Sequence, residues 1–398
     1  MADGPFAPHR AIGISAALLA LHNAQRLTPV PLFDELRVRL ATDYVGVGNL
    51  FGAYLLTYAL SSIPVGMLAD RIKSKNLMAL GAALSLLASL VFAIASQYLV
   101  AIVARCVLGI GGAFLYVPTV RYIVNSFPRE KRGSVMGFVQ AGAGIGMILP
   151  LTLLPFLADV FNVGGAFLML PVLSAVVLSG VLAGLPSERI PQIRSASMSF
   201  RLLAGNRGFW CLVTYFFLGM LAYYAVMAWL PTFLRRDFSY SAVEAGLAST
   251  LVSIALVVGS PLAGLLSDSL QTRTPVLLVG SLMSVMAFVL FLFSADPKVV
   301  VGAGLLCGIS MAFTVPVLII VVGETFGAGL AGVTVSIAAT AGQIASSLSG
   351  PLFGYVYQTS TAFAAVWGVA LMIAAGSIPF LLLATKIIKQ TKREGQKG

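Results

Sequence analysis

Gly66-Met67-Leu68-Ala69-Asp70-Arg71-Ile72-Lys73-Ser74-Lys75 is answered about half a chain later by Gly264-Leu265-Leu266-Ser267-Asp268-Ser269-Leu270-Gln271-Thr272-Arg273. Each stretch closes an apolar run with a glycine and opens a polar loop with an aspartate. A repeat at that period makes the chain two related halves, each a bundle of membrane helices.

Composition agrees with that reading. Over 398 residues, 59% are hydrophobic and only 10% charged, with a mean hydropathy of +0.96, whereas roughly a quarter of residues are charged in soluble domains. The apolar runs are about 20 residues long, the length an α-helix needs to cross a bilayer and twice that of a barrel strand. Twelve spans follow, at about 12–31, 46–68, 77–96, 99–125, 134–157, 163–185, 209–233, 242–265, 275–294, 298–321, 331–355 and 361–386. The short polar start, Met1 to Arg10, shows no small-residue cleavage site, so the first run is expected to stay as a span. Cys106, Cys211 and Cys307 each fall inside an apolar run and read as small packing residues.

A net charge of +11 does not call for nucleic acid, because the spans sort the charge. With both termini inside, the inner loops hold Arg10, Arg71, Lys73, Lys75, Arg129, Lys131, Arg132, Arg189, Arg194, Arg201, Arg207, Arg273 and the tail from Lys386 to Lys397. The outer loops hold Arg37, Arg39, Arg235, Arg236 and Lys298. This asymmetry is the positive-inside pattern and places the chain in the cytoplasmic (inner) membrane with both termini cytoplasmic. The expected organisation is an N-terminal bundle over 1–185, a cytoplasmic linker over 186–208 and a C-terminal bundle over 209–398 with a short basic tail.

Polar residues inside the spans point to the site. His22 and Arg26 share a face of span 1, one turn apart, beside Asn23 and Gln25. An arginine within the bilayer costs about 2.5–3.5 kcal/mol on insertion scales, so it is expected to face a water-filled cavity. Span 2 carries Tyr54, Thr57, Tyr58 and Ser61 at helical spacing. In span 4, Arg105 and Arg121 are sixteen residues apart, about 160° around the helix, so they face different ways; Arg121 is assigned to the cavity. Span 5 presents Gly137, Gly142, Gly144 and Gly146 before Pro150, a face for close helix packing. Span 7 offers Tyr215, Tyr223 and Tyr224, then Trp229 at the outer interface. Span 11 aligns Ser336, Thr340, Gln343 and Ser347 as one uncharged stripe. Asp70, after Gly66, is read as accepting hydrogen bonds from the free amides of another helix end, a contact that a gate can make and break.

Gly-x-Leu-Ala-Asp-Arg after the second of twelve spans, with a weaker copy after the eighth, resembles the signature loop of the major facilitator superfamily. Lys73 and Ser74 depart from that loop, which usually has glycine and then a basic residue. Arg105-Cys106-Val107-Leu108-Gly109-Ile110-Gly111 is similar to the Arg-xxx-Gly-x-Gly pattern of the same family, in which the arginine braces neighbouring helices. The resemblance covers the whole chain. It implies an all-α membrane protein of two pseudo-symmetric six-helix bundles, working by alternating access as a monomer, with Gly66, Asp70, Arg71, Arg132 and Asp268 in gating positions and Arg105 and Gly144 in structural ones. Span 5 lacks the Gly-Pro dipeptide typical of proton-driven drug exporters. Gln25-Arg26 resembles the Asp-Arg pair of organic-anion symporters, with the acid replaced.

The resulting expectation is a secondary transporter for a small organic anion such as a carboxylate. His22, Arg26, Tyr54, Tyr58, Arg121 and Tyr215 would line its site, and Ser336, Gln343 and Ser347 would hold the far end of the substrate. Two embedded arginines with no acid at equal depth leave charge for an anion, and a guanidinium grips a carboxylate with two hydrogen bonds. If protons are the coupling ion, His22 is the group best placed to titrate; uniport or exchange also fits. The alternative is an exporter of amphipathic drugs or metabolites by proton antiport. An enzyme is excluded on residue types: there are only two histidines, no paired acids within the spans, and no metal-ligand or cofactor pattern.

Overall fold

The computed structural model describes residues 7–186, 205–270, 272–325 and 331–395, and none of these lies in a β-strand. The helices, in order, are α1 (Ala7–Leu27), α2 (Phe33–Arg39), α3 (Tyr44–Ala69), α4 (Ser74–Ile94), α5 (Tyr98–Ser126), α6 (Arg129–Phe167), α7 (Met169–Gly184), α8 (Arg207–Asp237), α9 (Ala242–Ser269), α10 (Thr274–Phe293), α11 (Pro297–Thr325), α12 (Ala331–Ser360) and α13 (Phe363–Gly395). The segment expected as a linker, with Arg189, Arg194 and Arg201, falls mostly on 187–204, outside the described residues, as does Lys397.

Among the described residues, nine helices are long and apolar enough to cross a membrane. The spans missing from that set are the first, sixth and eleventh, each for a local reason. Polar residues dilute α1, and Ser, Thr, Gly and Gln dilute α12. In the sixth span, α7 is only 16 residues long because the span begins before it, inside α6. Asn162 sits there at φ 69° and ψ 171°, a left-handed value that asparagine tolerates better than most residues. Its Oδ1 accepts from the Gly165 amide at 3.0 Å, so one helical run stops at Asn162 and the next is capped from it. Other starts are capped in the same manner: Asp43 accepts from the Gly46 amide at 2.7 Å, and Ser241 with Glu244 forms a reciprocal capping box.

The chain divides into two compact units, Met1–Arg194 with Ser239–Thr250, and Ser195–Phe238 with Leu251–Gly398. In the first, small residues set the spacing. A Cβ at Gly142 or Gly146 would run into the backbone of Ala16 or Ala20, and one at Gly81 would lie 2.7 Å from the Phe114 side chain. So α6 packs on α1, and α4 on α5, at backbone distance. Gly144 is buried, but two residues on from Gly142 it faces about 200° away and lies outside that contact. The start of α9 joins this unit because Gly246 seats against the Leu151 carbonyl. Between these contacts Leu18, Leu21, Met78, Ala82, Leu115 and Val181 form a shared apolar core.

The second unit is tied by aromatic rings. Trp367 stacks on Phe291 at 4.7 Å and meets Phe233 edge-on at 5.2 Å. Trp229 was expected at a membrane interface; it is fully buried, 6.4 Å from Tyr357. In both units the outward faces are apolar. Leu56, Leu60, Ile63 and Met67 repeat on one exposed stripe of α3, the face a lipid tail would cover.

Candidate functional site

Within the first unit α1, α3 and α5 bring their polar side chains together. The Tyr54 hydroxyl lies 2.8 Å from the backbone oxygen of His22 and 2.9 Å from its Nδ1. The His22 ring is 4.7 Å from the ring of Tyr58 and 5.6 Å from that of Tyr116. Arg26 is 8% exposed and acts electrostatically on His22, Tyr54, Tyr58 and Tyr116 alike. The His22 ring is thus surrounded by three phenols, with Arg26 one turn further along α1.

Two glycines make room for it. A Cβ on Gly112 would lie 2.5 Å from the Tyr54 hydroxyl and 3.0 Å from His22 Nδ1. One on Gly109 would strike the Tyr54 carbonyl and the Thr57 hydroxyl, which itself donates to the Cys106 carbonyl at 2.9 Å. Tyr116 and Gly112 were not singled out in the sequence. They could have been found, because Arg105, Gly109, Gly112 and Tyr116 recur at i, i+4, i+7 and i+11, one face of α5.

Arg105 sits behind the cluster and is fully buried. Its Nε donates to the Leu50 carbonyl at 2.7 Å, its Nη1 to that of Gln25 at 2.5 Å, and its Nη2 to that of Arg26 at 3.3 Å. The guanidinium is 4.9 Å from the centre of the Tyr54 ring. It therefore binds carbonyls at the end of α1, where a helix leaves acceptors unused, and holds α1 to α3. Gln25, also buried, accepts from Ser85 at 3.4 Å.

Arg121 does not join this group. Its Nη1 donates to Asp70 Oδ1, with side-chain exposures of 13% and 53% for the two residues. This revises two expectations: Asp70 accepts from a guanidinium on α5 where helix amides were expected, and the charge of Arg121 has an acid to meet it. Of the other gating candidates, Arg71 is exposed. Arg132 donates to the Phe127 carbonyl at 2.9 Å, beyond the last turn of α5. A Cβ at Gly66 would meet nothing within 4 Å, so no close helix contact depends on that glycine here. Asp268 pairs with Arg273 at 2.6 Å.

The remaining predicted residues belong to the second unit. Tyr215 is buried with its hydroxyl 2.9 Å from Ser281; the two line a small cavity of about 20 Å³ with Ser310, Thr314 and Ser377. On α12, Ser336 is exposed, Gln343 half-buried and Ser347 buried. Ser347 donates to the Ile344 carbonyl of its own helix at 2.7 Å. Among the described residues no group of three or more His, Cys, Asp or Glu side chains could hold a metal ion.

Comparison with known proteins matches these features to one family. The model of the Major Facilitator Superfamily matches residues 16–350 and, again, 233–397. A probable chloroplastic anion transporter 3 of Arabidopsis thaliana is 24% identical over 285 residues, 65% of this chain and 55% of its own. Its counterpart in Oryza sativa subsp. japonica is 25% identical over 68% of this chain and 58% of its own. A probable sugar efflux transporter of Helicobacter pylori (strain P12) is 25% identical over 33% of this chain and 34% of its own. The chain thus spans a little over half the length of the plant relatives it matches. Among solved structures, a bacterial homologue of the human lysosomal transporter Spinster covers 98% of both chains at TM-score 0.77 and 15% identity. The nucleoside transporter NupG covers 95% of this chain and 99% of its own at TM-score 0.80 and 14% identity. With its repeated Asp-bearing loop, its twelve-span helical architecture and a family match over most of its length, the chain belongs to the Major Facilitator Superfamily of membrane transporters.

Proposed function

We propose that this protein carries a small organic anion of the carboxylate class across the cytoplasmic membrane by alternating access, with protons as the coupling ion and both termini in the cytoplasm. The observation that carries the proposal is Arg26, a nearly buried guanidinium on a membrane helix beside His22, Tyr54, Tyr58 and Tyr116. A bidentate guanidinium–carboxylate pair in such a low-dielectric site contributes about 1.5–3 kcal/mol per charged hydrogen bond. The one hydroxyl hydrogen of Tyr54 goes to the His22 carbonyl, so further donors to the same carboxylate would come from the hydroxyls of Tyr58 and Tyr116. The plant relatives named as anion transporters support the anion class. The sugar and nucleoside transporters among the likenesses mark the same fold serving other solutes. Arg121, paired with Asp70, is assigned to gating, and Arg26 alone anchors the anion.

The test is uptake of labelled lactate, gluconate, succinate and inorganic phosphate into proteoliposomes by the native protein and Arg26→Gln. At least one anion should be taken up, and the substitution should lower that uptake at least about tenfold, the factor that 1.4 kcal/mol represents. No uptake of any of the four, or uptake that survives Arg26→Gln, would reject the anion site in favour of the exporter reading.

A further inference from the structure

We infer that the first unit holds a seat for a phosphoethanolamine group, carried on a phospholipid, with the phosphate on Arg39 and the ammonium on the carboxylates of α2. The seat is a cavity of about 740 Å³ at the end of α3 opposite the Asp70 loop. Its walls include Asp34, Glu35, Val38 and Arg39 of α2, with Asn162 and Gly164 at the break in α6. None of these residues belongs to the cluster around His22.

Arg39 has a donor to spare. Its Nη2 donates to the Ala93 carbonyl, near the end of α4, at 2.6 Å, which fixes the guanidinium in place. Its Nη1 is buried with no hydrogen-bond partner among the described residues, a state that an incoming acceptor relieves. Space for that acceptor exists. A Cβ built on Gly164 would lie 3.2 Å from Arg39 Nη1, 3.4 Å from Asn162 Oδ1 and 3.5 Å from the Ala93 oxygen, so the position over this glycine is empty and next to the spare donor. A phosphate oxygen entering there meets a guanidinium, the side chain best matched to phosphate. The turn that brings Gly164 to this place is strained. Asn162 stands at φ 69° and ψ 171°, a region that is nearly glycine's alone, and strain of that kind persists at ligand clamps.

Glu35 lies one helical turn before Arg39, so the two share a face of α2, with Asp34 next to it. Asp34 accepts from the Tyr44 hydroxyl at 3.2 Å, and both acids have further contacts. A carboxylate offers about four lone-pair sites, so each can also accept from an ammonium. An amine two carbons from the phosphate spans the one turn between Arg39 and Glu35. The surroundings give the source of the group. Val38, Ile94, Val160 and Phe161 are each more than half exposed; Ile94 follows Ala93, and Phe161 precedes Asn162. Exposed apolar side chains on a membrane protein meet acyl chains, and headgroups lie at the level of the helix ends.

The test compares the native protein with Arg39→Gln and Gly164→Ala in detergent doped with equal amounts of POPE, POPC or POPG, the retained lipid being counted by native mass spectrometry. The native protein should retain POPE at least about tenfold better than POPC, whose headgroup nitrogen has no N–H, or POPG, which has no ammonium. That factor is the 1.4 kcal/mol equivalent of one charge-assisted hydrogen bond. Both substitutions should abolish the preference for POPE while leaving the protein monodisperse; if Arg39→Gln does not stay monodisperse, Gly164→Ala decides alone. Equal retention of the three lipids, or a POPE preference that survives Gly164→Ala or a monodisperse Arg39→Gln, would overturn the inference. Displacement of POPE by an equimolar amount of dissolved phosphoethanolamine would overturn the lipid as the source. Arg26-dependent uptake is read separately, so either outcome leaves the anion site untouched.

Discussion

The two copies of the repeated loop begin alike and end differently. Asp70 reaches across to Arg121 on α5, 51 residues away, whereas Asp268 closes on Arg273, five residues further along its own loop. Aligning the prolines within α5 and α11, Pro118 and Pro316, shows why. Arg121 then corresponds to Ile319, and Arg105 to Ala303. The second unit has no arginine at either place, so its aspartate takes the nearest cation. The repeated motif supplies an acid at a helix end, and the partner, supplied by a different helix, decides whether that acid ties helices together or only tidies a turn.

The contrast extends to the interiors. Both units bury serine and threonine hydroxyls, but among the described residues the buried arginines, Arg26 and Arg105 near His22, belong to the first, and the second gathers Tyr215, Ser281, Ser310, Thr314 and Ser377 around a small cavity. Substitutions that strip one unit of its distinctive chemistry test this division. The largest effect is expected for Arg105→Leu, which leaves the carbonyls of Leu50, Gln25 and Arg26 without their donor. It should destabilise the protein by about 1–3 kcal/mol for each buried acceptor left unsatisfied, seen as loss of monodisperse protein in detergent. A stable, active Arg105→Leu protein would contradict its bracing role.

Gly112→Ala comes next. Forcing a methyl against Tyr54 and His22 should cost about 1–3 kcal/mol and depress uptake, while Gly137→Ala, where a Cβ meets nothing within 4 Å, should leave melting temperature and uptake unchanged. Equal behaviour of the two variants would mean that the close packing around the cluster has no role.

A pair of double-mutant cycles probes the loops themselves. The half-shielded Asp70–Arg121 pair should show coupling near the upper end of the 0.2–1 kcal/mol measured for accessible pairs, and the Asp268–Arg273 pair should fall near the lower end. Equal couplings would erase the distinction between the copies. The smallest change belongs to the hydroxylic unit. Tyr215→Phe removes the 2.9 Å contact with Ser281 and should cost about 0.6 kcal/mol, the average for such bonds between membrane helices; a loss as large as that of Arg105→Leu would show that hydroxyls carry the second unit as charges carry the first.

Much of this was legible before any helix was packed. Apolar run length marks the helices, and the break expected between the fifth and sixth spans, at about 157–163, falls at Asn162, whose backbone leaves the helical region inside α6. His22 and Arg26 declare themselves as neighbours because one helical turn separates them. Tyr54 and Tyr58 repeat at the same interval, although nothing in the sequence says that they meet His22. The misread residues are those whose role depends on another helix. Arg121 was assigned a substrate, whereas its Nη1 donates to Asp70, Trp229 was assigned to an interface, whereas it is buried beside Tyr357, and Tyr116 was passed over.

What the sequence by itself determined is whatever repeats at short range: the helices, the duplicated loop, the family and the side chains that share a helix face. These follow from the 3.6-residue turn and from the length of chain needed to cross hydrocarbon, both local properties. Only the tertiary structure decided which faces meet, which aspartate finds which arginine, and that Gly112 is the gap into which Tyr54 and His22 fit. The contacts of Tyr54 with His22 and of Asp70 with Arg121 join residues 32 and 51 positions apart, and at that separation the order of residues along the chain carries no trace of which side chain lies opposite which.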